Sequence, residues 1–268
     1  MRMVKMLQTV YMKLSGIQPI QEGKVNLNEQ EVWIDGNSYR NKELSFDIPI
    51  TGTIYGTLLN YRNAYTQLKE AMYQEPYQAP PQAPVLYIKP QNTLIAAGSL
   101  IPIPEEEQEL DMGAALGVVI GKTASKIDEF HALDFVEGYT IVNDVSIPHD
   151  SVYRPPVKEK ARDGFCPVGP WIMSKTAVHN PNELEIRVLV NGELRQKSNT
   201  NQLIRSVEKL LADITEFMTL AKGDVLLVGV PENPPRVKAK DHIHIEIDQI
   251  GVLENTIATE KASVGGRL

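Results

Sequence analysis

The sequence predicts a mainly β protein with a few helices, an α+β arrangement, and three observations predict it. Short runs of β-branched or alternating apolar residues recur along most of the chain. Turn signals separate them at short intervals, and only three stretches carry helical spacing. Residues 12–47 read as short strands with tight turns: Val25, Leu27, Val32 and Ile34 supply apolar positions, and Asp35-Gly36-Asn37 is a strong turn signal. Pro49 and Gly52 punctuate the exit. Thr53 to Leu59 is a β-branched run suited to a buried strand, and Asn63 to Glu75 has helical spacing with Tyr65, Leu68 and Met72 on one face. The proline-dense segment Y-Q-A-P-P-Q-A-P excludes helix and central strand, so it is expected as an extended connector.

From Pro84 the chain is strand-rich again, through V-L-Y-I, T-L-I-A-A and L-G-V-V-I. Lys126 to Val136 reads as a short helix, and Tyr139 to Val145 as an apolar strand with Asp144 at its end. Leu184 to Val190 alternates, and Asn191-Gly192 is the clearest hairpin turn. Ser206 to Leu220 is the best helix, with Val207, Leu210, Leu211, Ile214, Phe217 and Met218 as its apolar stripe. Asp224 to Val228 and His242 to Asp248 are late strands, and the tail after Thr259 is polar and glycine-rich. This gives an N-terminal extension and small β-hairpin unit over 1–52, a core over 53–259 and a flexible tail over 260–268. Met12 is an alternative start to Met1.

Composition narrows the function. The chain has 268 residues, of which 42% are hydrophobic and 23% charged, an ordinary soluble balance with enough length for a sizeable core. A net charge of −7 argues against a broad nucleic-acid or anionic-membrane surface, while allowing a local basic pocket for an acidic small molecule. No window reaches a membrane span, and the N-terminus lacks the apolar run of a signal peptide, so a cytoplasmic location is expected. The one cysteine, Cys166, excludes an intrachain disulfide and is expected as a small buried thiol. His242 and His244 alternate on one strand face, which the strand pattern explains as a polar outer face. The acidic run Glu105, Glu106, Glu107 and Glu109 reads as a solvated loop.

The segments D-M-G-A-A-L-G-V-V-I-G-K (111–122), G-Y-T-I-V-N-D-V-S (138–146) and Y-R-P-P-V-K-E-K-A-R-D-G-F-C-P-V-G-P-W (153–171) together resemble the fumarylacetoacetate hydrolase family. In that family a D-Y-E-x-E strand precedes a G-Y-x-x-x-N-D loop, and the two glutamates and the aspartate hold a divalent metal. The resemblance implies a mixed β-sandwich roll. Aligned on V-V-I-G-K, the glutamate positions here are Gly113 and Ala115, and Asp144 alone remains as a metal position. Asp111, about 6–7 Å further along the strand from Gly113, would reach such a metal only through water.

Other family positions differ as well. Ala64 stands at the position of a histidine general base, Pro148 at an arginine, and Gly229-Val230-Pro231 replaces a G-T-P turn. Hydrolysis by the family's usual route therefore lacks its base and its metal. Lys160 matches the lysine of the family's K-S-x-D segment, so Lys160 and Asp144 are the catalytic candidates. A lysine facing a cleft holds a substrate carboxylate or a developing enolate. Tyr153, Arg154 and Arg162 are the candidates for gripping substrate carboxylates.

The wording G-T-I-Y-G-T-L-L-N-Y-R and Y-Q-A-P-P-Q-A-P-V-L-Y-I-K-P-Q-N-T is similar to one branch of that family, the isomerase/decarboxylases of 4-hydroxyphenylacetate (homoprotocatechuate) catabolism. Some of these are tandem fusions whose first half lacks the glutamate pair, and the chain resembles that half. The resemblance implies a subunit that decarboxylates 5-carboxymethyl-2-oxo-hex-3-ene-1,7-dioate and isomerises 2-hydroxyhepta-2,4-diene-1,7-dioate. Its substrate would be a 2-oxo di- or tricarboxylate. It would carry no cofactor of its own, with Mg²⁺ or Mn²⁺ in a homologous partner subunit or held weakly here. A dimer is expected, as a homodimer or as a heterodimer with that partner. The alternatives are a non-catalytic structural partner, or a metal-independent lyase or isomerase for another 2-oxo diacid.

Overall fold

The structure, a computed structural model, describes residues 7–152, 154 and 156–261. In chain order the first strands are β1 (Gln8–Leu14), β2 (Gln21–Asn26), β3 (Glu31–Ile34), β4 (Asn37–Arg40), β5 (Phe46–Asp47) and β6 (Ile54–Leu58). Helix α1 (Arg62–Met72) follows, then β7 (Val85–Lys89), β8 (Leu94–Ala96), β9 (Leu100–Ile103), β10 (Leu110–Asp111), β11 (Ala114–Ile120) and β12 (Val136–Asn143). The short helix α2 (Val157–Lys160) leads to β13 (Cys166–Ser174), β14 (Glu185–Val190) and β15 (Glu193–Asn199). Helix α3 (Val207–Thr215), β16 (Val225–Leu227), β17 (Arg236–Val237), β18 (His242–Ile247) and β19 (Gly251–Thr259) complete the fold. The predicted mainly β class is what forms.

One large sheet runs β4-β3-β2-β1-β13-β12-β11-β16-β6-β7, with β5 on β1 and β8 on β13; a second sheet runs β15-β14-β18-β19-β9. The N-terminal hairpins thus continue the large sheet through β1, whose Val10 and Met12 are fully buried against β13. A start at Met12 would remove half of that strand. Tight turns form where the sequence places them: Asp35-Gly36 joins β3 to β4 and Asn191-Gly192 joins β14 to β15, all four with positive φ. That backbone matches the twist of a two-residue hairpin, which is why Asn, Asp and Gly stand there.

Strand β11 is buried along its whole length because both its faces are covered. Ala114, Leu116, Val118 and Ile120 pack in the main core with Ile186, Val188, Ile245 and Leu253 of the second sheet. Ala115 and Val119 face a second cluster with Ile54, Val142, Cys166, Val168 and Leu227, inside the curl of the large sheet. Strand β13 contains Pro167 and Pro170, which disfavour a central strand; a register shift against β12 skips Pro170, and Pro167 lies beyond the last β12 pair, Val142 with Val168.

Two helix expectations need adjustment. The Lys126–Val136 segment is a 3-10 helix over Glu129–Phe135, capped by Asp128. Helix α3 is capped by Ser206 and buries Val207, Leu210, Leu211 and Ile214, but it ends at Thr215. Phe217 therefore leaves the predicted stripe and is 64% exposed. His242 and His244 do lie on the outer face of β18, with His244 Nδ1 2.9 Å from Glu254. Most of the predicted flexible tail lies outside the described residues. Among those described, no helix is long and apolar enough to cross a membrane.

Candidate active site

Strand β12 delivers Asp144 at its C-terminal end, opposite the residue that precedes β11. The Asp144 amide donates to the Gly113 carbonyl at 2.8 Å, so the two positions that the sequence pairs are directly juxtaposed. The carboxylate is fully buried, with three donors around it. Lys160 Nζ donates to Oδ2 at 2.7 Å, and the Tyr87 hydroxyl donates to the same oxygen at 2.5 Å. Lys89 Nζ lies 3.0 Å from Oδ1, an ion-pair contact off the line of a good hydrogen bond.

Tyr87 and Lys89 arrive from β7, at the far end of the large sheet, and their delivery follows from strand alternation. Tyr87 and Lys89 share the inward face while Ile88, between them, is 58% exposed. Gly56 of β6 pairs with Tyr87, and the phenol ring lies over it so closely that any Cβ there would collide with the ring. Lys89 also donates to the carbonyls of Lys160 at 2.7 Å and Val145 at 3.2 Å. It therefore ties β7 to the backbone on both sides of the site.

Burial pushes the Asp144 carboxyl up. The charges of Lys160 and Lys89 and the hydrogen bonds from Lys160 and Tyr87 more than reverse this and hold it well below the usual carboxylate range. Burial, and then the Asp144 charge, push the Tyr87 phenol well above its ordinary value. Cys166 is buried next to this group, and burial pushes its thiol up to about 12. That is the environment of an inert structural thiol. His149 lies close enough to feel the charges of Lys160 and Asp144; partial burial and then Lys160 lower its pKa. Its Nδ1 accepts the Ser151 amide at 3.1 Å, which leaves the ring proton on Nε2.

The other candidates are placed elsewhere. Arg162 donates to Glu106 at 3.2 and 3.3 Å and to the Lys158 carbonyl at 3.3 Å, tying α2 to the acidic run. The Arg154 guanidinium is exposed and stacks 5.7 Å from the centroid of Tyr77. Tyr153 lies outside the described residues. Asp111 pairs with Arg236 of β17 at 3.4 Å, and burial raises its pKa. Two large clefts, one of about 500 Å³ around Arg62 and Arg205 and one of about 930 Å³ around Trp171 and Arg187, do not include Asp144. The exposed member of the cluster is Lys160, at 12% of its side chain against 0% for Asp144 and Lys89.

The residues at the family's metal position do not fit a divalent ion. A Cβ on Gly113 would lie 2.5 Å from the Asp144 carbonyl oxygen and 3.1 Å from a Val230 methyl, so a glutamate does not fit there without a backbone shift. Ala115 faces the apolar cluster. The Asp144 oxygens already face two ammonium groups and a phenol, whereas a hard cation needs several free oxygen donors. Among the described residues no group of three or more His, Cys, Asp or Glu is placed to hold a metal.

Comparison with known proteins supplies the context for this geometry. Residues 53–258 match the family model described as "Fumarylacetoacetate (FAA) hydrolase C-terminal". The chain is 39% identical over 210 residues, 78% of its length, to the 4-hydroxyphenylacetate degradation bifunctional isomerase/decarboxylase of Escherichia coli, covering 48% of that protein. It is 36% identical to the protein of the same description from Salmonella dublin, over 88% of this chain and 53% of the relative. The chain thus spans about half the length of these relatives. It is also 39% identical to the mitochondrial oxaloacetate tautomerase fahd2 of Xenopus laevis, over 66% of this chain and 59% of that protein. Among solved structures, a 5-carboxymethyl-2-hydroxymuconate delta-isomerase from Mycobacterium smegmatis superposes with TM-score 0.71 at 26% identity, covering 95% of this chain and 99% of its own.

Proposed function

The chain belongs to the fumarylacetoacetate hydrolase family, and from that premise we propose that it is an isomerase/decarboxylase-type enzyme subunit acting on 2-oxo or 2-hydroxydienoic dicarboxylates. The reaction it serves best is tautomerisation of a 2-hydroxydiene diacid, of the kind of 2-hydroxyhepta-2,4-diene-1,7-dioate, to its 2-oxo form. Decarboxylation of 5-carboxymethyl-2-oxo-hex-3-ene-1,7-dioate is assigned to a homologous subunit carrying Mg²⁺ or Mn²⁺, with which this chain forms a heterodimer. The names of relatives that match 36–39% of aligned residues support the substrate class.

One observation carries the reading: a buried cluster with two ammonium groups, one carboxylate and one phenol, opening toward solvent at Lys160. In the tautomerisation a proton leaves the 2-hydroxyl group, the electron pair delocalises as a dienolate, and a proton is delivered to a carbon of the chain. The barrier falls when the oxyanion is held by a donor placed in advance in a site of low polarity. Lys160 is that donor. Asp144 is ionised and enclosed, which suits it to hold Lys160 rather than to take a proton from substrate, so it is a positioning residue. His149, neutral and at the rim, is the proton carrier closest in type to the transfer.

The test is reconstitution. Purified chain is mixed with a homologous subunit that has an intact E-x-E strand, complex formation is followed by size-exclusion chromatography, and both reactions are assayed. The proposal expects isomerase activity in this chain alone and decarboxylase activity only in the mixture. An inactive chain whose Lys160→Met variant leaves the mixture's isomerisation unchanged would reduce it to a structural partner.

A further inference from the structure

We infer that Lys89, Asp144 and Lys160 form a built-in cation site that binds the carboxylate and adjacent oxo or enolate oxygen of a 2-oxo acid without a divalent metal, with Lys160 as the donor and Lys89 as the residue that positions it. The identity of the ligand rests on the function proposed above; the division of labour rests on geometry.

The charges do not balance within the cluster. Two ammonium groups share one carboxylate, so the group carries one excess positive charge in a buried setting. The nearby carboxylates Asp111 and Glu109 are matched by Arg236 and Lys238, so that group is neutral and does not cancel it. Buried charge is tolerated when a counter-charge completes it, and the missing partner is an anion.

The two lysines differ in what they have left to offer. Lys89 is fully enclosed: it donates to the Val145 and Lys160 carbonyls, and its ammonium lies 3.0 Å from Asp144 Oδ1 as an ion-pair contact. Lys160 gives one hydrogen bond, to Asp144 Oδ2, and lies 5.3 Å from the Tyr87 ring centroid. Among the described residues it has no other acceptor, so two N–H groups remain for a ligand at the exposed end. The bond from Lys89 to the Lys160 carbonyl, with that of the Lys160 amide to the Pro156 carbonyl at 3.0 Å, fixes the backbone from which Lys160 projects. The ammonium thus stands against the carboxylate that the sequence resemblance marks as a metal position.

The experiment is calorimetric titration of the metal-stripped chain with oxalate, in EDTA and again with Mg²⁺ or Mn²⁺. Wild-type affinity is expected to agree within about twofold across these conditions, and Lys160→Met to weaken it at least about tenfold, the value of a charge-assisted hydrogen bond. Lys89→Met leaves the cluster with no net charge and is also expected to weaken oxalate binding. The double variant Lys89→Met/Asp144→Asn restores one positive charge on Lys160 but removes both groups that hold it, so it should recover part of the affinity lost in Lys89→Met, an effect that a purely structural lysine would not give. If Lys89→Met does not fold, the double variant still reads the charge. Oxalate binding that requires the metal ion, a Lys160→Met variant with unchanged affinity, or a folded double variant that binds oxalate no more tightly than Lys89→Met would each overturn the inference. So would a wild-type chain that binds no oxalate; turnover of a 2-hydroxydiene diacid by the same preparation would then leave the proposed function standing.

Discussion

Replacing Lys89 by methionine probes the cluster most severely, because the side chain is wholly buried, holds two backbone carbonyls and forms an ion pair with Asp144. The substitution keeps most of the aliphatic stem, so little cavity is created, and the cost is almost entirely polar. Breaking a buried ion pair by removing one partner costs about 3–5 kcal/mol. Lys160 and Tyr87 still hold Oδ2, which puts this site at the low end of that range. The carbonyls of Val145 and Lys160 each lose a donor, worth about 1 kcal/mol apiece when the loss is partly relaxed. The sum is about 5 kcal/mol, a large share of the roughly 5–15 kcal/mol that a protein of this kind has in total. Urea unfolding of wild type, Lys89→Met, Asp144→Asn and the double variant forms a cycle. A coupling energy of at least about 1.5 kcal/mol is expected for groups in direct contact. A Lys89→Met cost below about 1 kcal/mol, or additive single variants, would refute the claim that the pair is an energetic unit.

Three further outcomes follow from the same geometry. Gly56→Ala places a methyl group in the Tyr87 ring, so it should lower the melting temperature and reduce oxalate affinity, read by calorimetry. Asp144 has a folded-state pKa below its unfolded value of about 3.9. Its contribution, made through Lys160, Lys89 and Tyr87, is therefore complete above that value and lost as pH falls through the folded one. The stability gap between wild type and Asp144→Asn should stay constant from pH 8 to 5 and close below about pH 4, followed by thermal melts. Cys166, with its thiol pushed up to about 12, should resist a thiol reagent at pH 8 in the native state and react only on unfolding in urea.

Much of this site is legible in the chain. The strand-and-loop wording around Gly113, Ala115 and Asp144 gives the positions that the resemblance aligns with the family's glutamates and aspartate, and the structure sets Gly113 and Asp144 face to face. Lys160 is legible for the same reason, being 16 residues from Asp144 in a segment with its own wording. Tyr87 and Lys89 are harder to find, because they reach Asp144 only after the large sheet has curled, across 57 residues of sequence for Tyr87. A local signal does exist: Y-I-K in a strand sets tyrosine and lysine on one face and isoleucine on the other. An exposed isoleucine means that the polar pair points inward. Arg154 and Arg162 are candidates by residue type alone, and long side chains follow distant partners, Tyr77 and Glu106, that spacing does not reveal. Phe217 belongs to the helical period but falls beyond the last turn of α3, so periodicity without a stop signal overextends the stripe.

The central claim is that Lys160, held by Asp144 and Lys89, stabilises a dienolate. The most direct test is the rate at which the purified chain, in EDTA, consumes 2-hydroxyhepta-2,4-diene-1,7-dioate, followed by loss of the dienol absorbance. The account predicts turnover that is insensitive to the chelator and falls at least about a hundredfold in Lys160→Met, the loss expected for removing an oxyanion donor. Turnover that disappears in EDTA, or that survives in Lys160→Met, would contradict it.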